Sequence, residues 1–195
     1  MLILIVSFSF FGVLYFSILL AFSVYLLFPD LKKWLETLVP SPMPEFYTWD
    51  FFIFILTNNA AHFLNPLKML VWIPLLGAFF LGIELALNGL VIGAVIAYAG
   101  MEKGALFTII GILPHGIFEI PAFIFQFVCF ARLHITTLEW LHAKIIGEKF
   151  EKVKVITGLK DTAIFAMISF ILFVLAALIE TFVTPAILDY IFGRF

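Results

Sequence analysis

Residues 1–28 contain no charged side chain, and three later apolar runs, 69–98, 105–131 and 162–183, each carry a single carboxylate: Glu84, Glu119 and Glu180. At about 1.5 Å per helical residue, every one of these runs is long enough to cross a hydrocarbon core of roughly 30 Å. With 64% hydrophobic and 12% charged residues over 195 positions, the chain does not read as a soluble domain. It reads as an all-α, polytopic transmembrane helical bundle of about five membrane segments, some kinked or re-entrant, around a buried polar cluster. No linker, repeat or low-complexity tract divides it, so residues 1–195 are expected to form one integral membrane domain. Residues 1–28 lack a basic n-region and a small-residue cleavage site, and are expected to stay on the protein as its first and most lipid-exposed span. The single cysteine, Cys129, leaves no intrachain disulfide to consider.

Residues 29–45 form a connector, where Lys32, Lys33, Glu36 and the prolines at 40, 42 and 44 suit a short interfacial helix followed by an extended turn. The segment 46–64 is short and polar on one side: Asp50, Thr57, Asn58, Ala61 and Asn65 share a face at helical spacing, expected to turn inward whether the segment spans or is re-entrant. In 69–98, the stripe Gly82, Ala86, Gly89, Gly93 and Ala97 permits close approach of a second helix, while Glu84 and Asn88 occupy the opposite face. Residues 132–160 are the only long hydrophilic stretch, combining Arg132, Lys144, Lys149, Lys152, Lys154 and Lys160 with Leu138, Trp140, Leu141, Ile145 and Phe150. That pattern fits an amphipathic helix on the membrane surface, or a solvated helix packed on the protein's own loops. In the last segment Ala176, Glu180 and Thr184 line one edge, Pro185 ends or kinks the helix, and the tail from 186 is expected at the interface.

Chemistry concentrates in 113–122, Leu-Pro-His-Gly-Ile-Phe-Glu-Ile-Pro-Ala. His115 and Glu119, four apart, point the same way on a helix, and the stripe continues through Ala122, Gln126 and Cys129. Pro114 and Pro121 are expected to free carbonyls and kink the helix. A charged carboxylate at mid-bilayer costs at least about 2.5 kcal/mol on insertion scales, so Glu84, Glu119 and Glu180 are expected to face one another or a watery cavity, bordered by Asn58, Asn59 and Asn88. Three convergent carboxylates require protons or a cation. Together with His115 they are candidate ligands for zinc or another first-row divalent ion. The other readings are a hydrogen-bonded core that fixes helix register and a proton or solute pathway. No catalytic residue is assigned: His-x-x-x-Glu lacks the second histidine of a zincin helix, and neither a phosphate loop nor a dinucleotide fingerprint is present. His62, His134 and His142 lie near segment ends and read as interfacial, and the phenylalanines read as lipid-facing surface and packing rather than a cofactor box.

Phe54-x-x-x-Asn58-Asn59, Gly77, Gly82, Asn88-Gly89 with Gly93, the run from Pro114 to Ala122, and Ile179-Glu180-x-x-Val183-Thr184-Pro185 occur in that order. Together they resemble the stage II sporulation protein M family of polytopic membrane proteins, over roughly residues 46–190. The resemblance implies an all-helical fold of about five spans and matches the family's recurring positions to Asn58, Asn59, Asn88, His115, Glu119 and Glu180. In spore-forming bacteria the family member anchors two peptidoglycan-degrading proteins at the septum during engulfment. Relatives also occur in organisms that make no spores.

Three functions are candidates. One is a non-enzymatic scaffold in the cell membrane, organising envelope or membrane-remodelling partners such as peptidoglycan-modifying proteins, or a second copy of itself; nucleic acid is not an expected partner. Another is a metal-dependent intramembrane hydrolase in which His115 and the glutamates hold a metal that activates water. The last is a small-solute or ion transporter gated by the kinked helix. Five full spans place Lys68, Arg132, Lys144, Lys149, Lys152, Lys154 and Lys160 on one side, against Lys32, Lys33, Lys103 and Arg194 on the other. A re-entrant 46–64 moves Lys32 and Lys33 to the first side, so both schemes make 132–160 cytoplasmic by the positive-inside rule. The resemblance selects five spans, with the N-terminus inside and the C-terminus outside.

Overall fold

A computed structural model describes residues 1–27, 44–64, 73, 76–147 and 152–193, and the regular structure among them is entirely helical. The elements are α1 (Leu2–Leu27), α2 (Trp49–Ala61) with a 3-10 turn at His62–Leu64, α3 (Leu76–Lys103), α4 (Ala105–Ile145) and α5 (Lys152–Leu178). A π-helical segment, Ile179–Val183, then leads into α6 (Thr184–Phe192). Four stretches among the described residues are long and apolar enough to cross a membrane: Leu2–Leu20, Leu76–Lys103, Ala105–Ile145 and Lys152–Phe192. The interfacial helix expected in 29–43, together with Asn65, Lys68, Lys149 and Arg194, lies outside the described residues.

Each apolar helix buries a different kind of seam. A Cβ added to Gly89 would meet Val13 Cγ1 at 2.5 Å, and one on Gly93 would meet Ser17 Cβ at 2.7 Å and the Ile18 backbone nitrogen at 2.9 Å. The numbering rises together on both helices, so α1 lies parallel to α3 and closes onto its small-residue stripe. Gly82, by contrast, has nothing within 4 Å, so that seam does not extend back to it. Helices α4 and α5 run antiparallel. Ser169 donates a 2.7 Å hydrogen bond to the Ala122 carbonyl, Phe123 stacks edge-on to Phe173, and Gly158 lies directly against the Thr136 side chain. Phe10, Leu14, Ala122, Phe123, Ile124, Val128 and Phe173 make one continuous core across these helices.

Helix α2 has 13 residues, about 20 Å, which alone falls short of a full crossing. It lies along the C-terminal end of α5 and the π segment: Trp49 packs on Phe182 at one end, while Phe63 of the 3-10 turn packs on Phe130 and Phe173 at the other. Since α3 ends and α4 begins at the Gly104 turn, the parallel α1–α3 arrangement puts the start of α1 at the same end of the bundle as the α4–α5 hairpin. Residues 44–48, Gly104 and α6 collect at the opposite end.

The amphipathic helix expected over 132–160 is replaced by the ends of two long helices. Between Pro121 and Gly147 the sequence offers neither glycine nor proline, so α4 does not stop at Arg132 but continues to Ile145. Gly147, at φ 75°, makes the turn. His134, expected at an interface, is buried with Thr136 and Ala143 along the inner side of this extension. At the C-terminus, likewise, Pro185 does not end the helical course: it sits in the first turn of α6, where its missing N–H is tolerated.

Candidate functional site

The polar residues of 113–122 lie where α4 meets the π segment and α6. His115 Nε2 and Glu119 Oε2 are 3.9 Å apart, with side-chain exposures of 12% and 25%. His115 Nδ1 is 3.4 Å from the Thr184 hydroxyl, which ties α4 to α6. Glu180 is close enough to Glu119 for their charges to interact. Thus His115, Glu119, Glu180 and Thr184 form one cluster, drawn from two antiparallel courses of chain. Counted along the helices from the Arg132–Asp161 pair, the cluster lies roughly 20–35 Å away, towards the end opposite the hairpin.

The π segment has a sequence cause. Pro185 has no N–H to give to the carbonyl four residues earlier, Thr181, and that carbonyl instead accepts the backbone N–H of Tyr47 at 3.3 Å. Tyr47 adopts φ 64°, unusual for an aromatic residue, and its hydroxyl donates to Asp189 Oδ2 at 2.9 Å. Thr48 then starts α2 by accepting the Phe51 N–H at 3.2 Å. This pinned segment sits directly beside the His/Glu cluster. Within the π segment, Thr181 Oγ1 is fully buried and has no hydrogen-bond partner. π-Bulges of this kind occur frequently at functional sites.

Two residues expected in the cluster, Glu84 and Asn88, bond to each other. Glu84 is 2% exposed, and Asn88 on the next turn donates to its carboxylate at 3.2 Å and to its carbonyl at 2.8 Å. Counting outward from Gly104, Glu84 and Asn88 lie about 30 and 24 Å along α3, and His115 and Glu119 about 16 and 22 Å along α4. Asn88 spends both amide hydrogens on Glu84. On α2 the expected inward face is reversed: Asp50, Thr57, Asn58 and Ala61 lie on the outer surface, while Phe51 and Asn59 are buried. Aromatic packing decides this, since Phe51 contacts both Phe46 and Phe54. Among the described residues no three His, Cys, Asp or Glu side chains come together as metal ligands, so His115, Glu119, Glu84 and Glu180 are not assembled into a four-ligand site.

Thr184 was visible in the sequence as the residue four after Glu180, whereas Tyr47 carried no signal beyond the proline that frees its acceptor. The profile of the family described as Stage II sporulation protein M matches residues 1–185. The chain belongs to the stage II sporulation protein M family. A relative from Methanocaldococcus jannaschii, described as an uncharacterized protein, is 34% identical over 142 residues, which are 70% of this chain and 72% of the relative. No solved structure matches the chain. As a member of this family with four apolar helical stretches long enough to cross a bilayer, the protein is a membrane protein. The His115–Glu119 pair, Glu180 and Thr184 all fall within the family match.

Proposed function

We propose that the protein is a multi-pass scaffold of the cell membrane whose buried polar groups hold its helices in register while its ends bind envelope proteins. The observation that carries this reading is where the polar groups spend their bonds. His115 reaches Thr184, Ser169 reaches Ala122, and Tyr47 reaches Thr181 and Asp189. Such bonds define shape between otherwise interchangeable apolar surfaces. Five passes place the N-terminus and the hairpin in the cytoplasm, with residues 44–48 and α6 on the outer side. Peptidoglycan-modifying partners would meet that outer end, where Tyr47 and Trp49 clamp the chain onto the π segment.

Photo-crosslinking in cells from Glu45, with the hairpin position Ile145 as the control, tests this. The expected product is an adduct of the Glu45 variant with a peptidoglycan-modifying or other envelope protein. Adducts no more frequent than from Ile145 would overturn the proposed partner face. A second reading, an ion or small-solute path, is supported by Glu119 remaining one-quarter exposed and by the unpartnered hydroxyl of Thr181 within the π segment. Solute or ion flux in proteoliposomes that disappears in Glu119→Gln with the fold intact would favour that reading over the scaffold. The hydrolase reading needs at least three ligands around one metal, and among the described residues no three His, Cys, Asp or Glu side chains come together as such a set.

A further inference from the structure

The α4–α5 hairpin carries a groove of about 310 Å³ lined by Leu133, Thr136, Thr137, Trp140, Val155 and Leu159. Its depth relative to the apolar belt is set by the 3.2 Å pair between Arg132 Nε and Asp161 Oδ2. On one side of that pair α4 is free of basic residues back to Gly104, and α5 is free of charge as far as Glu180. On the other side the groove starts immediately, at Leu133 and Leu159, and rises about 10 Å to Trp140. A bilayer adds roughly 5–7 Å of headgroup layer to each side of its hydrocarbon core. The groove therefore begins at the hydrocarbon edge and passes through the headgroup layer.

Its polarity follows the same axis. Aliphatic side chains line the membrane end, while the outer end has Trp140, 45% exposed, with the Lys144 ammonium 5.1 Å from its ring centroid. Lys144 thus turns its charge back to the level of the groove instead of extending it into water. On α5, Lys152 shares a helical face with Val155 and Leu159 and adds a second exposed ammonium at the same end. An apolar channel rimmed by cations at headgroup level complements one class of molecule, an anionic phospholipid. We propose that this groove binds an anionic phospholipid from the leaflet on the hairpin side, its acyl and glycerol portions along Leu133, Leu159 and Val155 and its phosphate between Lys144 and Lys152. Because the site is at the opposite end from the His115 cluster, this does not depend on the scaffold reading.

The test uses the full chain with Trp34, Trp49 and Trp72 changed to Phe, which leaves Trp140 as the sole tryptophan. The protein is reconstituted in phosphatidylcholine vesicles containing increasing fractions of dibrominated phosphatidylglycerol or of dibrominated phosphatidylcholine. Half-maximal quenching of Trp140 is expected at a phosphatidylglycerol fraction on the order of tenfold lower, as two lysines near an anionic headgroup produce. Lys144→Gln with Lys152→Gln should bring the two curves together, and Lys→Arg at both positions should restore the separation. Coincident curves in the parent, or a preference that survives the double Gln change, would overturn the proposal. So would quenching by neither lipid, the result expected if a second copy or another protein filled the groove. Loss of the preference on adding inorganic phosphate would reassign the site to the free anion and also overturn it.

Discussion

The α1–α3 and α4–α5 pairs are both close helix contacts, but they are tight in different ways. In α1–α3 the glycine stripe meets the backbone of Ser17 and Ile18, which cannot move without shifting the whole helix. In α4–α5 the glycine meets a side chain, Thr136, and the polar contact is a hydroxyl on a carbonyl. Their carboxylates differ as well. Glu84 is satisfied within its own helix by Asn88, whereas Glu119 and Glu180 lie on different helical courses beside His115. The first pair is therefore a rigid packing unit, and the second carries the interhelical polar contacts on which a change of shape would register.

The strongest test of this contrast is Gly93→Ala, which places a Cβ under 3 Å from backbone and is expected to cost about 3 kcal/mol or more, read as loss of folded protein in detergent. Gly89→Leu should likewise lower folded yield well beyond Leu90→Ala, because Leu90 points to the outer surface. Equal losses at 89 and 90 would mean that α1 and α3 do not close onto each other at Gly89. Gly158→Ala should be milder, about 1–2 kcal/mol, and the extra change Thr136→Ala should recover most of it because the obstruction is a side chain. Failure of that rescue would make the two seams alike.

Smaller effects probe the polar groups. A double-mutant cycle of His115→Ala and Thr184→Val is expected to give a coupling near 0.6 kcal/mol and below about 1.7, measured by thermal unfolding. Zero coupling would mean that the α4–α6 contact does not hold the site. Ser169→Ala should cost about 0.6 kcal/mol, since Ala122 loses only one of its carbonyl's partners.

Much of this architecture could be read from the chain. Uninterrupted apolar runs can satisfy their backbone in a bilayer only by coiling, so the helices follow directly from composition and length. The Gly89–Gly93 seam and the His115–Glu119 pairing follow from helical spacing, and Thr184 followed from its place four residues after Glu180. The partners of the carboxylates were not legible. Glu84 looked equivalent to Glu119 because spacing along one helix does not tell which polar partner each will take, Asn88 for the one and His115 for the other. For α2, polarity argued for Asn58 facing inward, but the area buried by Phe51 and its aromatic neighbours outweighed a row of small polar groups.

What the sequence determined by itself was the set of helices, their apolar faces and the residues with chemistry to offer, because these depend on periodicities within single segments. Only the tertiary structure decided that α1 runs parallel to α3, that residues 132–145 extend α4 as one arm of a hairpin, and that Tyr47 takes the carbonyl freed by Pro185. Those outcomes depend on which surfaces meet across long stretches of chain, where many apolar faces compete on nearly equal terms and a few close backbone approaches and hydrogen bonds select among them.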